Sequence, residues 1–346
     1  MKKNHQQLSG QALLGDELTF SPVDIYIENG IITAIEDNPR APPHWICPAL
    51  FNAHTHLGDT IAMDCGVTGD LMALVTPPHG LKHTLLGAAS HNDLVRGMQA
   101  SIHQMISGGV AGCADFREGG TDGVSALKEA ATGLSFSPVI FGREGGETNA
   151  DGLVISSTRD VPDVERQVKE ARLRGKKIAF HAGERDSFDV NAALAFEPDL
   201  IIHATHATKQ QLRQCAEKEI PIAVCPRSNW TLGVTNSSQR PPLQLMQELG
   251  CTFYLGTDNV MFVNPDMFAE MAFVSAIYRM EPKMLLNAAI RGSELLGDPF
   301  FIRTGARANL FAIDPLQSVL QFSRDPVASI TKRVSCGHIV HNIFNS

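Results

Sequence analysis

Two histidines one residue apart, His54 and His56, follow an apolar run that ends at Phe51. On a β-strand, residues i and i+2 point to the same face of the sheet. Two imidazoles at this spacing can therefore bind one metal ion from one side. The spacing predicts a metal site whose remaining ligands come from other parts of the chain.

The overall composition is that of an ordinary globular protein. The 346 residues are 43% hydrophobic and 19% charged, enough for one large domain or for a large domain and a small one. The net charge of −8 argues against nucleic acid as a partner, because phosphates attract basic surfaces. No apolar run approaches the ~18 residues of a membrane span, and the first residues lack the apolar core of a signal peptide.

The seven cysteines are odd in number and scattered, and they form no C-x-x-C motif. Such a pattern is typical of free thiols in a reducing compartment rather than of a disulfide framework. We therefore expect a cytoplasmic protein without a membrane or nucleic-acid partner. A homo-oligomer is compatible with these observations.

Short apolar runs alternate with longer amphipathic segments from about residue 46 onwards. Repeated strand–helix units over about 250 residues predict a closed (β/α)8 TIM barrel, of class α/β. The predicted strands are Ile46–Phe51, Val110–Phe116, Pro138–Phe141, Leu153–Ser156, Ile178–His181, Leu200–His203, Ile220–Cys225 and Thr252–Gly256. The predicted helices include His91–Ile106, Val161–Leu173, Lys209–Lys218 and Pro242–Leu249.

Both chain ends are predicted to form a small β-sandwich-like domain. Asn29-Gly30 between two alternating runs predicts a β-hairpin. Beyond about residue 303 the helical pattern fades, and short apolar runs suggest strands that pair with the N-terminal ones. The predicted division is 1–45 and 304–346 for the small domain and 46–303 for the barrel.

Two irregular stretches interrupt the barrel pattern. Gly142–Gly152 has no helical periodicity, so the helix of that unit is expected to be shortened to a loop. Gly58–Ser90 is a long insertion that contains Pro77 and Pro78. A long loop after a barrel strand lies over the mouth of the active site.

Ionisable residues recur where the predicted strands end, which is where barrel enzymes carry their catalytic groups. His181 ends strand five, His203 ends strand six, and Asp258 follows strand eight. Imidazoles together with a carboxylate suit Zn²⁺ best, with Fe²⁺ or Mn²⁺ as alternatives. His206 is the alternative to His203, which directly follows the apolar run of its strand.

These motifs resemble those of the amidohydrolase superfamily, in particular the mononuclear branch of cytosine deaminases, adenosine deaminases and chlorohydrolases. The resemblance is carried by His54-Thr55-His56, His181-Ala182-Gly183-Glu184, His203 and Gly256-Thr257-Asp258, and it extends over nearly the whole chain. Asn309 departs from the Asp that is usual in the family near the end of the chain. No predicted fourth strand ends in the lysine that bridges two metals, which favours a single metal ion.

The resemblance implies roles for individual residues. His54, His56, His181 and Asp258 would bind the metal, which activates a water for attack. Asp258 would accept the proton of that water, and His203 would hold the water or shuttle the proton. Glu184 would protonate a ring nitrogen of the substrate; without the resemblance it would be read as a solvated loop carboxylate.

Several polar residues lie where a substrate pocket is expected, although solvated loops explain some of them equally well. The candidates are His79, Lys82 and His83 in the insertion, Arg117 after strand two, Arg143 after strand three and Asn229 after strand seven.

The expected function is metal-dependent hydrolytic deamination of a small amino-substituted nitrogen heterocycle of purine, pyrimidine, pterin or triazine type. One alternative is hydrolysis of a cyclic amide C–N bond or a C–Cl bond in the same fold. Another is a non-catalytic binding or scaffold protein, against which the complete set of ligand types argues. The other zinc deaminase design, with H-x-E and P-C-x-x-C motifs, is absent from the sequence.

Overall fold

The computed structural model of the chain describes residues 5–65, 71–75 and 79–345. The predicted insertion 58–90 therefore includes two stretches outside the described residues, 66–70 and 76–78, and Pro77 and Pro78 belong to the second.

The strands fall into two sheets, one of six strands and one of nine. In chain order they are β1 His5–Leu14, β2 Thr19–Glu28, β3 Ile31–Asp37, β4 Trp45–Pro48, β5 Leu50–His56, β6 Val110–Arg117, β7 Ser137–Gly142, β8 Gly152–Ile155, β9 Lys177–Ala182, β10 Leu200–His203, β11 Ile222–Val224, β12 Phe253–Leu255, β13 Asp258–Asn259, β14 Leu310–Ile313 and β15 Ile339–Ile343.

Most of the helices follow barrel strands. They are α1 Leu71–Leu74, α2 Leu81–Ala88, α3 His91–Ser107, α4 Gly120–Ala131, α5 Val164–Leu173, α6 Phe188–Leu194, α7 Lys209–Glu217, α8 Pro226–Thr231, α9 Leu243–Glu248, α10 Met267–Tyr278, α11 Pro282–Arg291 and α12 Pro326–Arg333. Short 3₁₀ turns occupy Leu57–Ala62, Gly146–Thr148, Gly292–Leu296, Val319–Phe322 and Cys336–His338. No helix in the described ranges is long and apolar enough to cross a membrane.

The nine-stranded sheet closes because its eighth strand is bent into two halves. β12 pairs in parallel with β11, and β13 pairs in parallel with β5. Gly256 and Thr257 form the bend between the halves, and a Cβ on Gly256 would lie 2.7 Å from the Cβ of His54. Only glycine allows this approach of strand eight to strand one, so the predicted TIM barrel is confirmed together with the reason for its closure.

The first predicted strand, Ile46–Phe51, is in fact divided at Ala49 between the two sheets. β4 pairs with β1 and β14 in the six-stranded sheet, whereas β5 begins the barrel. The hydrogen-bond partner changes at this point, since Ala49 N–H donates to Asn309 and Leu50 N–H donates to Gly109. Pro48, which has no N–H to donate, directly precedes the change.

The six-stranded sheet has the order β15-β14-β4-β1-β2-β3. The predicted hairpin is confirmed, with Asn29 and Gly30 at φ of 50° and 79° between β2 and β3. β4 lies between β1 and β14, so β14 and β15 do not pair with β1–β3. The segment just before β14 does pair with β3, because Ile31 and Arg307 form an antiparallel bridge and Ile32 N–H donates to Ala306.

Helix α12 was not expected in a C-terminal segment predicted as strands. Its start carries two ordinary sequence signals, because Asp325 accepts a hydrogen bond from the N–H of Ala328 and Pro326 occupies the first helical position. The predicted loss of a helix at Gly142–Gly152 is confirmed, since this stretch holds only the 3₁₀ turn Gly146–Thr148.

Asn52 connects strand one to strand eight inside the barrel. Its fully buried side chain donates to Oγ1 of Thr257 at 2.8 Å and accepts from the N–H of Thr257 at 3.0 Å. Asn52→Ala would remove both bonds and leave the buried hydroxyl of Thr257 without its partner, so we expect a loss of about 1–3 kcal/mol in the free energy of unfolding. Chemical denaturation measures this loss, with Asn92→Ala on the exposed face of α3 as the control. Equal midpoints for both variants would contradict the assigned role of Asn52.

Candidate functional site

Four histidine rings converge at the carboxyl ends of three barrel strands. The ring centroid of His54 lies 5.0 Å from those of His56 and His181 and 5.4 Å from that of His203. Because the strands are parallel, their ends meet at one rim of the barrel. The first, fifth and sixth strands of the barrel therefore bring together residues that are up to about 150 positions apart in the chain.

Asp258 completes this cluster from the eighth strand. Its Oδ1 lies 3.1 Å from Nε2 of His54 and 3.6 Å from Nε2 of His56. Ligand atoms about 2.0–2.1 Å from a tetrahedral zinc ion are about 3.3 Å apart, so these spacings suit a shared cation. The second oxygen, Oδ2, accepts a hydrogen bond of 2.6 Å from the hydroxyl of buried Ser228, and this bond turns Oδ1 towards the rings.

Several buried ring nitrogens in the cluster have no hydrogen-bond partner among the described residues. They are Nδ1 of His54, of His181 and of His203. A buried polar atom without a partner is costly unless it binds an ion or water. Metal-donor atoms of His54, His56 and Asp258 lie within 4.8 Å of one another, as do those of His54, His181 and His203. The residues present therefore fit a divalent cation.

The electrostatics of the cluster also suit a cation. Burial lowers the pKa of His54 and of His181, and it lowers the pKa of His56 to about 3. The imidazoles are therefore neutral, with lone pairs free for a metal. For Asp258, burial alone would raise the pKa, but contact with His54 and the neighbouring rings holds the pKa well below its usual value.

Two residues of the cluster adopt backbone conformations that are rare for residues other than glycine. His203 has a φ of 73° and Asp258 a φ of 64°. Each such conformation costs on the order of 1–3 kcal/mol and persists only when the surroundings impose it. The flanking backbone does so, since Ala204 N–H donates to Ala182 and Thr257 N–H donates to His54.

Glu184 reaches the cluster through the turn that follows β9. Gly183 has a φ of 76°, and its N–H donates to Oδ1 of Asp189 at 2.9 Å. This turn places Oε1 of Glu184 3.6 Å from Nε2 of His203, with 22% of the Glu184 side chain exposed. Burial raises the pKa of the Glu184 carboxyl, although His203 opposes the shift.

A polar cavity opens beside this cluster. Among its lining side chains are His56, His181, Glu184, His203 and Asp258, and its apolar lining consists of Val75 and Leu232. The chemistry of the lining suits a substrate rich in hydrogen-bonding groups. The other lining residues are Lys82, Glu118, Arg143, Ser156, Ser157, Asp160, Arg185, Asp189 and Asn259.

Of the six predicted substrate residues, Lys82 and Arg143 line this cavity. Both are paired with Glu118, whose Oε1 lies 2.8 Å from Nζ of Lys82 and 3.0 Å from Nη2 of Arg143. Arg117 also pairs with Glu118, since its Nη2 lies 2.6 Å from Oε2 of Glu118. Its Nη1 lies 3.2 Å from Oδ1 of Asp115. The three cations thus surround a carboxylate of the protein.

The other four predicted substrate residues, Arg117 among them, do not line the cavity. His79 is exposed. His83 has its Nε2 3.0 Å from the carbonyl oxygen of Val75, and buried Asn229 donates to Oγ1 of Thr205 at 2.7 Å. His206, the alternative to His203, has its Nε2 3.2 Å from the carbonyl oxygen of Val234 and is not part of the cluster.

Ser228 was not predicted from the sequence as the partner of Asp258. Ser156, Ser157 and Asp160 were likewise not predicted as residues of the cavity wall. A signal for these three exists, because they directly follow β8 and so lie at the catalytic rim of the barrel. The same signal applies to Ser228, which lies in α8 shortly after β11.

Comparisons with known proteins identify relatives of this chain. The family model described as adenosine deaminase matches residues 155–295. A putative aminohydrolase of Methanothermobacter thermautotrophicus is 32% identical, over 97% of this chain and 96% of that protein. A 5-methylthioadenosine/S-adenosylhomocysteine deaminase of Halobacterium salinarum is 24% identical, over 89% of this chain and 84% of that protein.

Solved structures share the fold at low sequence identity. An adenosine deaminase from Xanthomonas campestris with bound zinc superposes with a TM-score of 0.82 at 15% identity, covering 98% of this chain and 91% of that one. An atrazine chlorohydrolase from Arthrobacter aurescens complexed with zinc gives 0.78 at 16% identity, covering 97% and 95%. Together with the relative that is 32% identical over nearly its whole length and the matching family model, these matches show that the chain belongs to the amidohydrolase superfamily.

Proposed function

We propose that this hydrolase removes an amino group from a nitrogen heterocycle of purine, pyrimidine, pterin or triazine type, with one divalent metal ion, Zn²⁺. The observation that carries the proposal is the position of Glu184, in the cavity wall and 3.6 Å from His203 beside the metal-binding cluster. A neutral carboxyl at this position is suited to protonate a ring nitrogen. The names of the adenosine deaminase and methylthioadenosine deaminase relatives support the same class of substrate.

In the proposed site, His54, His56, His181 and Asp258 hold the metal. When bound, a divalent cation lowers the pKa of a coordinated water towards ~7 and so supplies a nucleophile at neutral pH. Asp258 accepts a proton on Oδ1, because Ser228 already occupies Oδ2. Atoms of His203, Asp258 and Glu184 lie within 4.8 Å of one another, so His203 can move a proton between the two carboxylates. Glu184, whose pKa burial raises, would donate a proton to the ring nitrogen as water adds to the adjacent carbon. The C–N bond to the amino group would then break, the proton held on Asp258 would leave with the amino group as ammonia, and the remaining hydroxyl proton would return to Glu184.

The proposal also includes the predicted cytoplasmic location. All seven cysteines are free thiols. Burial raises the pKa of Cys113 and of Cys225 well above its usual value, so these thiols are inert and need no disulfide.

The choice among reactions of this fold is tested by a screen for ammonia release. We expect ammonia from at least one aminopurine, aminopyrimidine, pterin or triazine. The contrary result is no ammonia from any aminoheterocycle, together with turnover of a cyclic amide or chloride release from a chlorotriazine. It would replace deamination by hydrolysis of a cyclic amide C–N bond or a C–Cl bond.

The metal-ligand set is tested with a pair of histidine variants. His181→Asn removes one proposed ligand, so we expect metal content to fall below one ion per chain. His206→Asn changes a nearby histidine outside the cluster and should keep the metal of the unmodified protein. Elemental analysis of protein purified without chelator gives both values. An unmodified protein without stoichiometric metal would instead favour the non-catalytic reading.

Glu184→Gln separates metal binding from proton transfer. The amide keeps the size of the side chain but cannot donate the proton, so we expect normal metal content and a loss of about 10²–10⁴-fold in kcat for deamination. Steady-state ammonia release measures this change. Near-normal turnover by the variant would remove Glu184 from the mechanism.

His203→Asn tests the proposed proton shuttle. Asparagine tolerates the left-handed backbone found at this position better than most residues, so the variant should fold. We expect normal metal content and a loss of about 10²-fold or more in kcat. Loss of the metal would show that His203 is a ligand.

A further inference from the structure

The ring of His56 is held from behind by two acceptors. Its Nδ1 lies 2.9 Å from the carbonyl oxygen of Phe116 and 3.0 Å from Oε1 of Glu118. Both atoms accept hydrogen bonds, so the proton of the neutral ring resides on Nδ1. The lone pair of Nε2 is therefore directed into the cluster, where Asp258 lies 3.6 Å away.

This arrangement distinguishes His56 from the other rings of the cluster. Nδ1 of His54, of His181 and of His203 has no hydrogen-bond partner within the described residues. Among the four rings, His56 is thus the one whose Nδ1 contacts a carboxylate.

Glu118 is itself held by three cations that come from different parts of the barrel. Lys82 belongs to α2, Arg117 ends β6, and Arg143 directly follows β7. Their nitrogens lie 2.8, 2.6 and 3.0 Å from the carboxylate oxygens. With only 6% of its side chain exposed, Glu118 has little freedom to move away from His56.

Lys82 connects α2 to this arrangement. Its side chain is 3% exposed, and Nζ also lies 3.0 Å from Oδ2 of Asp59. Asp59 belongs to the 3₁₀ turn that directly follows His56. The position of α2 beside the cavity therefore depends on the contacts of Lys82 with Asp59 and Glu118, two carboxylates close to His56.

We infer that Glu118 is a positioning residue that fixes His56 for metal binding, and that Lys82 links the seating of α2 to metal affinity through Glu118. The inference rests on the metal site of the proposed function. It does not depend on the substrate, and it adds residues that do not touch the reacting atoms.

The test is the zinc dissociation constant, measured by competition with a chromophoric chelator. We expect Glu118→Gln to weaken zinc binding by about 10–100-fold, as removal of an outer-shell partner of a metal ligand does. Lys82→Met should weaken binding by a smaller factor. Because Lys82 acts through Glu118, the double variant should bind zinc no more weakly than Glu118→Gln alone.

A matched control is available in the same barrel. Glu270 is a fully buried carboxylate whose Oε2 lies 2.6 Å from Nε of Arg227. Glu270→Gln makes the same chemical change, so it should lower the unfolding temperature while leaving zinc affinity unchanged. If Glu118→Gln does not fold, Glu118→Asp retains the charge but withdraws the carboxylate from His56, and it should weaken zinc binding as well.

Equal zinc affinities for the Glu118 variants, Glu270→Gln and the unmodified chain would overturn the inference, as would additive effects of Glu118→Gln and Lys82→Met. A protein that binds zinc normally but deaminates nothing contradicts the proposed function alone. An active deaminase whose zinc affinity is indifferent to Glu118 contradicts the inference alone.

Discussion

The bend at Gly256 and Thr257 is the constraint on which the rest of the site depends. It lets one strand pair with two neighbours and so closes the barrel. The same closure brings Asp258 within 3.1 Å of His54, so the closed barrel places two of the proposed metal ligands side by side. The hydrogen bonds between Asn52 and Thr257 fix the register of this contact. A site built in this way is preorganised by the fold rather than by a flexible loop.

The barrel and the cluster were predictable because both are encoded in local patterns. On a strand, the spacing of His54 and His56 places both rings on one face, where they can bind one ion. His181, His203 and Asp258 each follow an apolar run. Parallel strands of a barrel end at one rim, so the order of these runs was enough to group the residues. The structure adds the distances between these residues and their burial. The roles of the individual residues in catalysis remain proposals.

The parts that escaped prediction depend on contacts between distant segments. Nothing near Glu118 in the sequence indicates that Lys82, Arg117 and Arg143 converge on it, since these residues come from three separate strand–helix units. The pairing of Ser228 with Asp258 could not be assigned for the same reason. The division of the first strand at Ala49, in contrast, has a local signal in the sequence. Pro48 cannot donate a hydrogen bond, and it marks the change of hydrogen-bonding partner.

The left-handed backbone at His203 and Asp258 has a consequence for how the molecule can evolve. Glycine at either position would relieve the strain and would also remove a group proposed for chemistry. A relative released from selection for turnover could therefore become more stable by losing these side chains. At these two positions of the rim, the residue that favours activity differs from the residue that favours stability. In inactive family members we therefore expect substitutions at these two positions first.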